Sequence, residues 1–126
     1  MGLNDLNTPF FVFFPFERIA VNLSEPTWRS LPFLSYIFYF SKKYWCRGPS
    51  RGSCEILVDS EGVAKTKYTH RSVVVQVKRG IFVKVTNLQI DDSGVYWVGI
   101  DKPYSDIMVP VTLNVTQGNL PIDSMV

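Results

Sequence analysis

Short apolar runs separated by polar turns recur from residue 42 onward, and this pattern limits the possible fold more than any other feature. In the clearest run, Ile81, Val83 and Val85 occupy alternate positions. A period of two places successive side chains on opposite faces of a β-strand. Similar runs occur at residues 43–47, 55–58, 72–77, 95–100 and 109–115. Six short strands with turns between them predict an all-β sandwich or barrel.

Charge and ligand counts exclude several classes of function. Thirteen Lys and Arg against eleven Asp and Glu give a net charge of +2, too small an excess to favour nucleic-acid binding. The chain has one histidine and two cysteines, whereas a structural zinc site normally takes four such ligands. We therefore expect no metal, no cofactor and no nucleic-acid partner.

Catalytic motifs are also missing from the sequence. It contains no nucleophile elbow, phosphate loop or metal-ligand cluster. His70 stands beside Arg71 at the start of a predicted strand, where a solvated histidine is expected. Asp91 and Asp92 form a carboxylate pair that a turn explains. We therefore predict no catalytic residues and a protein that is not an enzyme.

Two Asn-x-Ser/Thr sequons begin at Asn22 and Asn114. With a close cysteine pair, they favour an exported protein with N-glycans, at the cell surface or secreted. The N-terminus lacks the basic start of a clear signal peptide. The apolar runs at residues 10–16 and 31–40 are shorter than the ~20 residues that span a bilayer, so we expect no transmembrane helix in this chain.

The segment Asp92–Tyr96 (DSGVY) is similar to the D-x-G-x-Y motif that precedes strand F of immunoglobulin V-type domains. The spacing of the strand at residues 81–88 fits strand E of the same domains. This resemblance implies that Tyr96 packs inward with its hydroxyl bonded to the backbone. It also implies that Asp92 pairs with Arg71 at the start of strand D.

Residues 43–47 (KYWCR), with a second cysteine at Cys54, resemble the polymeric immunoglobulin receptor group. That group includes the Fc mu and Fc alpha/mu receptors and the myeloid single-V-domain receptors. The resemblance implies that Trp45 is the core tryptophan of strand C. It also implies a disulfide between Cys46 and Cys54 that joins strand C to strand C′.

The chain departs from the family pattern at the usual disulfide between strands B and F. The strand F position is Val98, and no cysteine precedes Cys46. Because both ends are missing together, no odd thiol is left, and Val98 can fill the inward position. Loss of such a bridge typically costs about 2–5 kcal/mol.

We divide the chain into an aromatic-rich N-terminal segment without family motifs (1–41), a V-type domain with strands C to G (42–117) and a C-terminal tail (118–126). Residues 19–23 are a candidate for strand B, and residues 36–40 are a candidate aromatic strand. The segment is either a diverged front half of the sandwich or a segment of different origin. In the second case its apolar surface would favour oligomerisation.

V-type domains bind ligands with loops at one end of the sandwich. The second loop lies near residues 59–65, the first precedes Lys42, and the third spans residues 101–106. Within the third loop, the candidate ligand-binding residues are Asp101, Lys102, Tyr104 and Asp106. The resemblance implies a receptor module that recognises a protein or a lipid. The alternative is an incomplete receptor fragment with no ligand of its own.

Overall fold

The protein is described here by a computed structural model, which covers residues 3–5, 9–16, 40–65, 71–102 and 105–116, with the backbone alone for the first range. It contains eight β-strands in these ranges. They are β1 Leu3–Asp5, β2 Phe10–Pro15, β3 Lys43–Arg47, β4 Glu55–Asp59, β5 Ser72–Val77, β6 Gly80–Val85, β7 Gly94–Ile100 and β8 Ile107–Thr116. Short 3-10 turns lie at Arg51–Ser53 and Ile90–Asp92.

The strands form two sheets, with the orders β1-β8-β7-β3-β4 and β2-β6-β5. In V-type nomenclature these are A′-G-F-C-C′ and B-E-D. Pairing is antiparallel except between β1 and β8, which run parallel. The prediction of an all-β, immunoglobulin V-type sandwich is confirmed.

The core lies between the inner faces of the two sheets. Ile81 and Val83 from β6 are fully buried in one cluster with residues of β3, β7 and β8. The Trp45 ring meets the Phe10 ring of the opposite sheet at 5.9 Å between centroids. The alternation seen in the sequence thus separates the core face from the outer face.

Among the described residues, the strand at the strand B position is β2. Phe10–Pro15 pairs with β6, in a register that sets Phe10 opposite Val85 and Pro15 opposite Gly80. Residues 19–23, our candidate for strand B, lie outside the described residues. The alternation was hidden because Phe11 and Phe13, on the outer face, are as apolar as the inward residues of the same strand.

The N-terminal segment therefore contributes β1 to one sheet and β2 to the other. Residues 36–39 of the second predicted strand lie outside the described residues, and Phe40 is outside any strand. Within the described ranges, no helix is long and apolar enough to cross a membrane.

Candidate functional site

An ion pair joins the two sheets at the end of the sandwich opposite the third loop. The Arg71 guanidinium donates to the Asp92 carboxylate at 2.5 Å, and the Asp92 side chain is almost fully buried. The same carboxylate oxygen accepts the backbone N–H of Gln89 at 2.7 Å. Arg71 immediately precedes β5 and Asp92 precedes β7, so the pair fixes one sheet against the other.

The core aromatic residues connect to this ion pair. The Tyr96 hydroxyl donates to the backbone oxygen of Asp92 at 2.5 Å. The Tyr96 and Trp45 rings stack at 4.9 Å between centroids. Val98 is buried opposite Trp45 in the β3–β7 register. The structure thus brings the five residues expected in the core into one continuous cluster.

A disulfide bond joins Cys46 to Cys54, with 5.5 Å between their Cα atoms. The intervening residues, which we call the disulfide loop (47–53), are bonded to β7 through Gly48. The Gly48 N–H donates to the Val95 carbonyl, and the indole N–H of Trp97 donates to the Gly48 carbonyl, both at 3.0 Å. The disulfide loop is therefore fixed beside β7.

The disulfide loop also reaches the third loop. The Arg51 guanidinium donates to the Asp106 carbonyl at 2.8 Å. The Tyr44 hydroxyl donates to the Asp106 carboxylate at 2.5 Å, and the Lys102 N–H donates to the other carboxylate oxygen at 3.2 Å. Asp106 therefore holds the base of the third loop in place.

Gly99 is required for this arrangement. It pairs with Tyr44, and a Cβ atom at Gly99 would lie 2.1 Å from the Tyr44 ring. Burial, followed by the Asp106 hydrogen bond and charge, raises the pKa of Tyr44 well above its usual range. Tyr44 therefore stays protonated and remains a hydrogen-bond donor to the loop.

The four residues predicted to bind ligand have different positions. Asp101 and Lys102 line a cavity of about 380 Å³ together with Phe40, Ser41 and Lys42. The carboxylate of Asp106 faces Tyr44 and the backbone of Lys102, so its role is to position the loop. Tyr104 lies outside the described residues.

The second loop is tied to the start of β3. The Ser60 N–H donates to the Lys43 carbonyl at 2.8 Å, and the Lys43 N–H donates to the Ser60 hydroxyl at 3.0 Å. The Lys43 side chain points between the sheets and donates to the side-chain oxygen of Gln76 on β5. Burial lowers the pKa of Lys43 to about 8.

Sequence reasoning missed Arg47, whose guanidinium lies 5.2 Å from the centre of the Tyr96 ring. It donates to the carbonyls of Asp91 and Ser93, at 2.9 and 2.6 Å. The signal was an arginine two residues after the core tryptophan, on a strand paired with the tyrosine strand. Tyr44 and Arg51 were missed because their partner, Asp106, lies more than 50 residues away.

Other predictions concern the surface. Asn114 is exposed on β8, so its side chain is open to a glycan, and glycosylation there stays a prediction. Asn22 lies outside the described residues.

In the N-terminal segment, Phe11 and Phe13 are 50% and 45% exposed, and oligomerisation through this surface also stays a prediction. The described residues hold no cluster of three metal-ligating side chains.

Comparison with characterised proteins finds similarity to CMRF35-like molecules and to immunoglobulin receptors. The chain is 39% identical to the CMRF35-like molecule 1 of Rattus norvegicus over 75 aligned residues. The alignment covers 58% of this chain and 23% of that protein. It is 38% identical over 80 residues to the human polymeric immunoglobulin receptor, which covers 62% of this chain and 10% of the receptor. It is 31% identical over 80 residues to the Pongo abelii high affinity immunoglobulin alpha and immunoglobulin mu Fc receptor, which covers 61% of this chain and 15% of the receptor.

About three fifths of this chain is similar to the polymeric immunoglobulin receptor group. The resemblance drawn from the sequence motifs is thereby confirmed. The chain spans less than a quarter of the length of these three relatives. No protein-family model matches it.

The similarity also supports the general class predicted from the sequence. Its homologues are immune-type receptors at the cell surface or secreted, and such receptors are not enzymes. The prediction of a receptor recognition module rather than an enzyme is confirmed at this level. The cluster around Asp92 supports the fold, and ligand recognition by the third loop stays a prediction.

Proposed function

We propose that this chain recognises a protein or lipid ligand at the loop end of its sandwich. The observation that carries the proposal is the cavity of about 380 Å³ between residues 40–42 and the first residues of the third loop. Its size lies in the range of ligand sites, about 300–1,000 Å³. Phe40 is 67% exposed there and offers an apolar contact.

The charges of this cavity favour an anionic group on the ligand. Lys42 and Lys102 contribute two cations and Asp101 one carboxylate. The base of the loop is already ordered by Asp106, Tyr44 and Arg51, so less conformational entropy is lost when a ligand binds. A charged rim of this kind gives specificity and faster association.

The test uses two probes that separate the ligand classes: purified immunoglobulin M, and phosphatidylserine vesicles compared with phosphatidylcholine vesicles. We expect one probe to bind and Lys102→Glu to weaken its binding by about tenfold. Lys65→Glu is the matched control, because Lys65 is exposed and pairs with Glu55 on β4. Binding that is insensitive to Lys102→Glu, or no binding of either probe, would contradict the proposal.

The second candidate is a receptor fragment without an independent ligand. The observation that favours it is the three-stranded sheet, in which both β2 and β5 are edge strands among the described residues. Such a fragment would expose apolar surface and associate or stay partly unfolded. A monomer with slow amide exchange in β3, β6 and β7 would exclude this candidate.

A further inference from the structure

The outer face of the three-stranded sheet exposes apolar side chains from both of its edge strands. Five of them are between 41% and 50% exposed: Phe11, Phe13, Val73, Val75 and Val77. The strand registers align them in adjacent rows, with Phe11 in the same row as Val73 and Phe13 in the same row as Val75. Contiguous exposed apolar surface of this kind marks an interaction site, whereas single exposed apolar residues do not.

The aromatic rings on this face are held in place by their neighbours on the sheet. The Phe11 and Phe82 rings lie 5.5 Å apart between centroids. A Cβ atom at Gly80 would lie 2.9 Å from the Phe13 ring, so this ring extends across the start of β6. Because side chains that are already ordered lose less conformational entropy when a partner binds, the face is preorganised for contact.

The charged side chains of these strands are all cations. The sequences of β2, β5, β6 and the turn between β5 and β6 contain no aspartate or glutamate. Lys84 lies on the outer face, with its ammonium nitrogen 5.6 Å from the centre of the Phe11 ring. Lys78 and Arg79 are exposed in the turn, at the other end of the strands. An apolar face with cations toward both ends is complementary to a surface that is apolar and anionic.

The same charges disfavour a second copy of the chain as the partner. Two of these faces packed together would set Lys84 against Lys84 of the other copy or, with the strands reversed, against its Lys78 and Arg79. Like charges brought together in a contact oppose association, so the partner must carry negative charge. The exposed side chains come from adjacent strands about 4.8 Å apart, and a face of that breadth suits a bilayer surface better than a single extended segment.

We propose that the outer face of the three-stranded sheet lies on the surface of an anionic lipid bilayer. Phe11 and Phe13 enter the boundary between headgroups and acyl chains, where apolar side chains are removed from water. Lys84, Lys78 and Arg79 contact the anionic headgroups, because basic side chains reach from an apolar surface to the charged layer of the membrane. The site goes beyond the loop-end function, since it lies on a sheet face and recognises a bilayer rather than one headgroup.

The first test measures co-sedimentation of the full chain with phosphatidylglycerol vesicles and with phosphatidylcholine vesicles. We expect binding to phosphatidylglycerol that decreases as salt is added, and binding to phosphatidylcholine that is about tenfold weaker. Replacing both Phe11 and Phe13 by serine should weaken the binding to phosphatidylglycerol about tenfold. Val95→Ser is the matched control, because Val95 is 37% exposed on β7 of the other sheet. Equal binding of the double variant and the original chain, or no binding to phosphatidylglycerol, would overturn the proposal.

A fluorescent reporter locates the face without removing its apolar surface, so this test holds even where the double serine variant fails to fold. Phe13→Trp keeps a ring at an exposed position of the face, and Val95→Trp places one on the other sheet. With brominated lipids in the phosphatidylglycerol vesicles, we expect the Phe13→Trp variant to lose more of its fluorescence than the Val95→Trp variant. Equal quenching of the two variants would overturn the proposal.

Charge variants test the electrostatic part of the proposal. Lys84→Gln and Lys78→Gln should each weaken binding to phosphatidylglycerol vesicles about fivefold, the effect of one basic side chain at an anionic membrane. Lys65→Gln is the matched control, because Lys65 is exposed and pairs with Glu55 on β4 of the other sheet. If Lys65→Gln weakens binding as much as Lys84→Gln does, the vesicles respond to net charge alone and the proposed face is wrong.

Two further results separate this proposal from its neighbours. Lys102→Glu should weaken binding of the loop-end probe and leave binding to phosphatidylglycerol vesicles unchanged, so the two proposals fail independently. Vesicle binding that is lost in Lys102→Glu and kept in the double serine variant would assign the lipid to the loop end and overturn the sheet-face site. A concentration-dependent dimer that the double serine variant abolishes, without vesicle binding, would assign the face to a second copy of the chain and also overturn it.

Discussion

The five-stranded sheet carries the disulfide loop, which is bonded to Val95 and Trp97 of β7, whereas the outer face of the three-stranded sheet exposes Phe11, Phe13 and the valines of β5. The first sheet is stabilised by contacts between specific residues, such as the disulfide and the Tyr44–Asp106 hydrogen bond. The second is stabilised mainly by apolar packing of alternate residues against the core. Any strand with the right alternation can therefore fill the strand B position, whereas strands C and F need particular residues.

The ion pair between the sheets should give the largest effect, because both sheets depend on it. Asp92→Ala leaves the mostly buried Arg71 guanidinium without its carboxylate. We expect a loss of about 3–5 kcal/mol in the free energy of unfolding, measured by urea titration of tryptophan fluorescence. Glu55→Ala, which removes the exposed partner of Lys65, is the control and should cost at most about 1 kcal/mol. Equal costs would mean that the two sheets do not depend on this pair.

The next prediction asks whether packing alone holds β2 in the second sheet. Phe10→Ala removes a buried ring from the contact with Trp45 and should cost about 3 kcal/mol. Phe11→Ala, at the adjacent outward position, should change stability by less than about 0.5 kcal/mol. Both values come from the same urea titrations. If Phe11→Ala lowers the free energy of unfolding as much as Phe10→Ala does, the outer face of the three-stranded sheet is covered in solution.

Removal of the disulfide tests how far the disulfide loop orders the five-stranded sheet and the third loop. Replacing Cys46 and Cys54 by serine opens a loop with a sequence separation of 8 residues and should cost about 2.5 kcal/mol. Because Arg51 then loses its fixed position beside Asp106, amide hydrogen exchange at Asp101 and Lys102 should accelerate. Unchanged exchange there would show that the third loop is ordered independently of the disulfide loop.

The smallest effect concerns Lys43, which links β3 to Gln76 between the sheets. Its folded pKa of about 8 lies below the ordinary 10.5, so the unfolded state binds more protons between these values. Stability should therefore rise as the pH increases from about 8 to 10. Above pH 10 the raised pKa of Tyr44 acts in the opposite direction. Lys43→Met should flatten this rise in stability, whereas the control variant Lys42→Met should keep it. An unchanged slope in Lys43→Met would place the titration elsewhere.

The sequence predicted the five-stranded sheet better than the three-stranded one for a physical reason. Trp45, Cys46 and Tyr96 occupy positions where few side chains satisfy the geometry, so their spacing is characteristic. Strand B needs only inward apolar residues, and Phe10–Pro15 is apolar on both faces, which concealed its period. Its position is fixed by pairing with β6, which local sequence does not reveal.

The candidate site was predicted only in part. The third loop followed from the end of β7, and Asp101 and Lys102 do line a cavity. The anchoring role of Asp106 did not follow, because it depends on Tyr44 and Arg51, which are brought there by folding. The cavities themselves form between loops distant in the chain, and no local pattern records them.

The direction of β8 fixes how the loop end is presented. β8 begins at Ile107, beside the third loop, and ends ten residues later at Thr116, about 30 Å away. β1 runs parallel beside the final residues of β8, at the same far end. Thr116 therefore lies at the end of the sandwich opposite Asp101 and Lys102, so a fusion partner for binding measurements is best joined on the Thr116 side.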